Sequence, residues 1–192
     1  MTVSSSRMRD AVARFSESAA DQGLADVTYT TMDSPIGPLL LAATDRGVVR
    51  IHFEEEEWVL DELARRVSPR VLRSPRRLDP ARRQLDEYFA GRRRSFSIPL
   101  DRRLIGQFGE RVLARTERIP FGSVAAYNDV AWDIGAPRAA RAVGNALGAN
   151  PIPVVIPCHR VLRTGGSLGG YGGGLDRKRY LLQLEGALPT AG

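Results

Sequence analysis

From Val27 to Phe53 the chain alternates apolar and polar positions, VTYTTMDSPIGPLLLAATDRGVVRIHF, with breaks at Pro35-Ile36-Gly37 and Asp45-Arg46-Gly47. A period of two interrupted by turn residues predicts a three-stranded antiparallel meander. Two helices are expected after it. The first, near 55–66, is amphipathic; the second takes Asp79 as N-cap and Pro80 as its first helical residue, and stops at Gly91. Arg92 to Arg103 has no long apolar face beyond Phe96 and Ile98, so it reads as a connector with Pro99 at its boundary. The period then becomes helical. One helix is expected over 105–117 and a second from about Ser123, where Val124, Tyr127, Val130, Ala131 and Ile134 fall at helical spacing before Gly135. Pro137 opens a third after the short turn Gly135-Ala136, and this helix-turn-helix spacing is a first sign of a nucleic-acid partner. Residues 1–26 are polar, rich in Ala and Ser and weakly periodic, which predicts a tail, either disordered or a marginal helix.

The third helix has two faces that differ in size as well as polarity. Ala139, Val143, Ala146 and Leu147 form an apolar stripe, while Arg138, Arg141, Gly144, Asn145 and Gly148 lie opposite. A face built from Gly, Asn and Arg is narrow enough to approach a groove wall, and an arginine projecting from it can enter a base stack. The plainer alternative is a solvent-facing helix with Arg141 in a surface ion pair.

The run Asn150-Pro-Ile-Pro-Val-Val-Ile-Pro-Cys-His-Arg-Val161 is apolar almost throughout and predicts a buried strand ended by Pro157, with Cys158 at the end of a rigid element. A lone cysteine is either a small buried hydrophobe or a nucleophile. His159 and Arg160 beside it are groups that stabilise a thiolate, although neighbours on an extended strand point oppositely, so a direct contact needs a turn or a bridging water. Glu185, in the last turn of the final helix, opposes the macrodipole. It is either a solvated surface residue or the tertiary partner of a base such as His159. Seven glycines between Thr164 and Gly174 either form a flexible surface loop or permit close backbone approach to a planar ligand. No Gly-Lys-Ser/Thr follows them, which excludes a Walker loop.

Composition narrows the class. The 43% hydrophobic content is that of a globular chain, and no apolar run approaches the roughly 20 residues of a membrane span. The N-terminus MTVSSSRMRDAVARF lacks the apolar middle of a secretory signal, so a cytoplasmic protein without a membrane partner is expected. A single cysteine excludes an internal disulfide framework. With only His52 and His159 beside it, a structural zinc site of Cys and His is excluded too. Residues 101–192 carry 12 basic and 7 acidic side chains, against 16 and 15 in residues 1–100, which favours a polyanionic partner for the C-terminal half. Lys178 is the only lysine beside 27 arginines, a bias to which composition alone gives no functional meaning.

The segment IPCHRV, preceded by IPFGSVAAY and RAVGNALGANP and followed by GYGGGLDRKRYLLQLEG, resembles the O6-alkylguanine-DNA alkyltransferase family. The likeness runs through most of 104–186 and includes DSPIGPLLLA and LDEYFAG in the N-terminal half, but not residues 1–26. It implies an α+β fold: a small N-terminal α/β domain with an antiparallel sheet over 27–99, and a mostly helical domain over 104–188 with a winged helix-turn-helix-like DNA-binding motif. It implies that Cys158 accepts an alkyl group from O6-alkylguanine, and from O4-alkylthymine, in double-stranded DNA docked by its minor groove. His159 would act as base through a water, Glu185 would orient it, and Tyr127 would hydrogen-bond the flipped base and protonate it as it leaves. Arg141 would fill the gap in the duplex, with Arg138, Ala140, Gly144 and Asn145 on the DNA-binding face and Asn150 as the hinge. The substrate pocket would be formed by the main chain around Cys158 and Val161, with Leu147, Tyr171 and Gly172. The thioether product has no easy hydrolytic release, so a single turnover by a monomer, with cooperative assembly on DNA as an option, is implied; no cofactor and no metal is needed.

Two positions depart from the family pattern. Gly172 stands where some members carry Ser, and Ile-Gly-Gln-Phe-Gly-Glu from Ile105 stands where Gly-Thr-x-Phe-Gln is usual. Three other readings of the same residues are a damage-binding relative without transfer, which the presence of Cys158 opposes, a Cys-His-Glu hydrolase that turns over, and a helix-turn-helix regulator.

Overall fold

A computed structural model describes residues 5–53 and 57–189. Residues 1–4 of the N-terminal segment and 54–56, near the expected start of the first amphipathic helix, lie outside the described residues. The chain divides into two compact units, Met1–Leu85 with Ile98–Asp101, and Asp86–Ser97 with Arg102–Gly192.

In the first unit β1 (Val27–Met32), β2 (Leu39–Thr44) and β3 (Gly47–Phe53) form the meander read from the alternation. A short fourth strand, β4 (Val71–Arg73), adds parallel to β1, giving the order β3-β2-β1-β4. Every residue of β2 is buried, which suits its unbroken Leu-Leu-Leu-Ala-Ala run: alternation fails where both faces of a strand are covered. Helix α1 (Ser5–Asp21) lies against β4, and α2 (Glu57–Arg66) buries Val59 and Leu63. A 3-10 turn over Arg76–Leu78 runs straight into α3 (Asp79–Phe89). Asp79 therefore already has helical torsions, φ −55° and ψ −40°, and is not the N-cap expected; its carboxylate pairs with Arg82 at 3.0 Å.

The expected connector is partly a sheet element. Val48 donates to the Pro99 carbonyl at 2.9 Å, Asp101 donates back to Val48 at 2.8 Å, and the buried Asp101 carboxylate accepts from Thr44 at 2.6 Å. Gly47, at φ +131°, makes this possible, since a Cβ there would stand 2.3 Å from the Pro99 oxygen.

The second unit contains the last residues of α3, then α4 (Gln107–Thr116), β5 (Ala125–Ala126), α5 (Tyr127–Asp133), α6 (Ala140–Gly148), β6 (Val161–Leu162) and α7 (Leu175–Leu184). Helices α4, α5 and α6 pack on one another through Val112, Leu113, Val130, Ala131, Val143 and Leu147. β5 pairs in parallel with β6 beside this helix-turn-helix. Helix α5 begins later than Ser123, because Ala125 and Ala126 are taken by the strand and the Ala126 amide is held by the Asp129 carboxylate at 2.9 Å. Helix α6 begins at Ala140 rather than Pro137, the intervening residues forming a turn closed by Ala139 N–H on Ala136 O. Along α6, Val143 and Leu147 are buried while Arg141, Asn145 and Gly148 are exposed, as is Arg138 just before the helix.

The apolar run from Asn150 is buried but is not a strand. Pro151, Pro153 and Pro157 leave too few N–H groups for a ladder, Val154 turns the chain at φ 72°, and the Ile156 amide closes back on Ile152 O at 2.9 Å. Among the described residues no helix is long and apolar enough to cross a membrane.

Candidate active site

The turn made by the proline-rich run delivers Cys158, His159 and Arg160 as one 3-10 turn, closed by Arg160 N–H on Pro157 O at 3.0 Å. On a strand His159 would point opposite to its neighbours. On this turn His159 and Arg160 both reach Glu185, while Cys158 borders a cavity. Asn150 fixes the cysteine from the far end of the run. Its amide nitrogen donates to Ile156 O at 3.0 Å and to Cys158 Sγ at 3.2 Å, and its oxygen accepts from Ile152 N–H at 3.0 Å.

Glu185 follows the end of α7 and is buried, where the macrodipole and the loss of water both disfavour a carboxylate. It is compensated by a dense set of donors. Tyr88 Oη donates to Oε1 at 2.7 Å, His159 Nε2 to Oε1 at 2.9 Å, and Arg160 to both oxygens at 2.8 and 2.9 Å. Burial pushes its pKa up, but the hydrogen bonds and charges of His159 and Arg160 outweigh this and hold it at about 2. An ionised carboxylate accepts only, so His159 carries its proton on Nε2 and leaves Nδ1 with a lone pair. That Nδ1 is buried with no hydrogen-bond partner among the described residues. Burial also holds the imidazole below its ordinary value despite the carboxylate, so it is neutral and able to take a proton.

The thiol is not ionised at rest, contrary to what the neighbouring His and Arg suggested. Burial pushes Cys158 up to about 11, against the opposing hydrogen bond from Asn150 and the charge of Lys178. Arg160 is committed to Glu185 and to Ile119 O at 2.6 Å, so the cation that favours the thiolate is Lys178 instead. The only lysine of the chain is fully buried; its Nζ donates to Val161 O at 2.7 Å, to Leu168 O, and to Gly170 O at 3.3 Å. It pins the glycine-rich segment to α7, and burial lowers its pKa to about 8.

The cavity measures about 570 Å³. Cys158 and Leu147 are its buried members; Arg141, Asn145 and Arg163 are exposed members, and Tyr127, Ala140, Gly144 and Gly170 to Gly172 complete most of its wall. Tyr127 Oη donates to Gly170 O at 3.3 Å, and burial together with the nearby Cys158 raises its pKa, keeping the phenol protonated. A Cβ on Gly172 would meet Gly148 O at 3.2 Å, so a serine there would crowd α6. Arg138 and Val161 do not line the cavity: Arg138 precedes α6 on the exposed side, and Val161 is buried with its carbonyl on Lys178.

Sequence reading missed Tyr88, Lys178 and the Ile119-Pro-Phe-Gly122 loop. The Phe121 ring lies under the Arg160 guanidinium at 5.9 Å, and Gly122, at φ +78°, approaches Glu185 so closely that a Cβ would be 2.9 Å from its carbonyl oxygen. An unusual Gly after Pro-Phe was the available signal for the loop; nothing local marks Tyr88, which lies 97 residues from its partner.

A buried cysteine that borders a cavity beside a helix-turn-helix, with an imidazole and a carboxylate behind it, is an arrangement suited to a nucleophile working next to DNA, and similarity makes the class specific. Residues 107–187 match the 6-O-methylguanine DNA methyltransferase DNA-binding domain, and residues 27–102 match the ribonuclease-like domain of the same family. The chain belongs to that family. It is 43% identical over 159 residues to the methylated-DNA--protein-cysteine methyltransferase of Mycolicibacterium paratuberculosis, covering 83% of this chain and 92% of that one. The constitutive methylated-DNA--protein-cysteine methyltransferase of Bacillus subtilis is 37% identical over 82% of this chain and 94% of its own length. The crystal structure of Mycobacterium tuberculosis OGT in complex with DNA superposes with a TM-score of 0.73 at 42% identity, covering 83% of this chain and 93% of that one.

Proposed function

We propose that this chain repairs O6-alkylguanine in DNA by moving the alkyl group irreversibly onto Cys158, with O4-alkylthymine as a second substrate. One observation carries the reading: the single cysteine opens on a cavity beside a helix-turn-helix while its neighbour His159 is held by Glu185 with a free Nδ1. The extruded base enters the cavity, and Arg141, exposed on α6, takes its place in the duplex. His159 Nδ1 accepts the thiol proton through a water. The sulfur attacks the alkyl carbon in line, forming the S–C bond as the C–O6 bond breaks. Tyr127 protonates the departing purine, and the proton on His159 returns to the phenolate through solvent, so the sum is thiol plus alkylguanine to thioether plus guanine.

A thiol with pKa about 11 suits this sequence, because the proton leaves only when a base and an electrophile are both in place. Residues 104–188 hold every reacting group in this scheme, and Tyr88, near the end of α3 in the same compact unit, helps to hold Glu185. A chain whose only cysteine must stay reduced also suits a cytoplasmic setting. Incubation with a duplex containing O6-methylguanine is expected to add one methyl mass to Cys158 in a burst of one equivalent. Steady turnover with an unmodified cysteine would refute transfer and favour a hydrolase.

A further inference from the structure

The cavity has a second cation that the transfer scheme leaves without a task. Arg141 and Arg163 both border it, no carboxylate does, and neither guanidinium has an acidic partner among the described residues. Some other arginines of the same unit do, as at Arg102 with Glu110 and Glu117 and at Arg115 with Asp133. The two cavity arginines come from different elements. Arg141 rides on α6, whereas Arg163 follows β6, its main chain fixed by Arg163 N–H on Ser167 O and Gly166 N–H on Arg163 O, each at 2.9 Å. Its stem is seated against the wall that holds the phenol: a Cβ on Gly169 would lie 3.3 Å from Arg163 Cγ and 2.9 Å from Tyr127 Oη. The side chain is thus rooted in ordered backbone but exposed to solvent.

An alkylated guanine is uncharged, so the base itself does not call for a second guanidinium. The anionic part of an extruded nucleotide is its phosphodiester, which follows the sugar to the mouth of the cavity and is the usual partner of an unpaired arginine at a DNA interface. We propose that Arg163 binds a backbone phosphate of the extruded nucleotide, holding it while Arg141 occupies the duplex. The proposal rests on the alkyl-transfer reading and adds a positioning residue to it.

The test compares Arg163→Ala, Arg163→Gln and Arg163→Lys with the parent chain, on a duplex containing O6-methylguanine and on free O6-benzylguanine base. Binding to the duplex is followed over a salt series in a Cys158→Ser background. One lost phosphate contact lowers the slope of log K against log salt by about 1 for Ala and Gln, while Lys, which still carries the charge, keeps the parent slope. Alkyl transfer from DNA is expected to fall at least about tenfold more than transfer from the free base, as a contact made only to the backbone requires. An unchanged slope overturns the proposal. So does an equal loss on both substrates, which would place Arg163 at the phenol instead. A parent chain that alkylates Cys158 with neither substrate would instead sink the transfer reading itself.

Discussion

Behind Cys158 and in front of it, the second unit treats charge in opposite ways. Behind it, Tyr88, His159 and Arg160 are buried and hydrogen-bonded to the buried Glu185, and His159 Nδ1 has no partner among the described residues. In front, Arg141 and Arg163 are exposed and have no acidic partner among the described residues. A buried ionic set is stable only when complete, whereas an exposed guanidinium loses little by waiting. The reacting groups are therefore assembled before any ligand arrives, and recognition is completed by the ligand. Changes behind the cysteine should impair every substrate equally, and changes in front should impair DNA selectively.

The largest effect is at the point where the two regions meet. Cys158→Ser removes the alkyl acceptor and is expected to abolish transfer from duplex and free base alike, while a gel-shift assay still shows duplex binding. Residual transfer in that variant would mean that another residue accepts the group, and the division drawn at Cys158 would be lost.

Glu185→Gln tests the region behind. The neutral amide can present its NH₂ to His159 and select the wrong tautomer, so transfer should fall on the order of 100-fold or more on both substrates. It also leaves Arg160 buried without its partner, at a cost of roughly 3–5 kcal/mol by denaturant unfolding. The pH dependence has a definite sign. Glu185 is held at about 2 in the folded chain against an ordinary 4.5, so its stabilisation is complete above pH 4.5 and is lost as pH falls toward 2. That window carries roughly 3 kcal/mol by linkage, and the Gln variant should show a flatter acid limb there. An unchanged limb would mean the buried set is not what resists acid.

Arg141→Ala tests the region in front. Extrusion of a base costs a few kcal/mol, and loss of the residue proposed to fill the vacancy should slow duplex repair about tenfold or more relative to the free base. Equal losses on the two substrates would erase the distinction between the regions.

What the sequence made legible follows the same line. Local features were readable: the meander from its alternation, the helix-turn-helix from its spacing, the outward face of α6 from small residues at positions 144 and 148. The family motif pointed to Cys158, His159 and Glu185, and the structure brings the last two together at 2.9 Å. Features set by distant partners were not legible. The strand expected from Asn150 to Pro157 failed because three prolines outweigh apolar content, and that failure is what lets His159 and Arg160 share one carboxylate. Lys178 carries no local sign of burial, since its three carbonyl partners lie 8 to 17 residues back along the chain. The acidity of the thiol was misread for the same reason: neighbours in sequence suggested a thiolate, and burial in the fold decided against it.

The smallest expected effect sets stability against recognition at one atom. Gly144 lies inside α6, where glycine costs about 1 kcal/mol relative to alanine. A Cβ there would lie 3.7 and 3.9 Å from the Tyr127 ring, which is ordinary contact, so nothing in the folded chain opposes it. Gly144→Ala should then raise Tm by about 1–4 °C in a thermal melt. The same methyl thickens the face proposed to approach DNA and intrudes on the cavity that Gly144 borders, so transfer from duplex should slow a few-fold while the melt improves. A variant that gains stability and repairs duplex at the parent rate would show that this face keeps its distance from DNA, and the small residues of α6 would then need a reason internal to the fold.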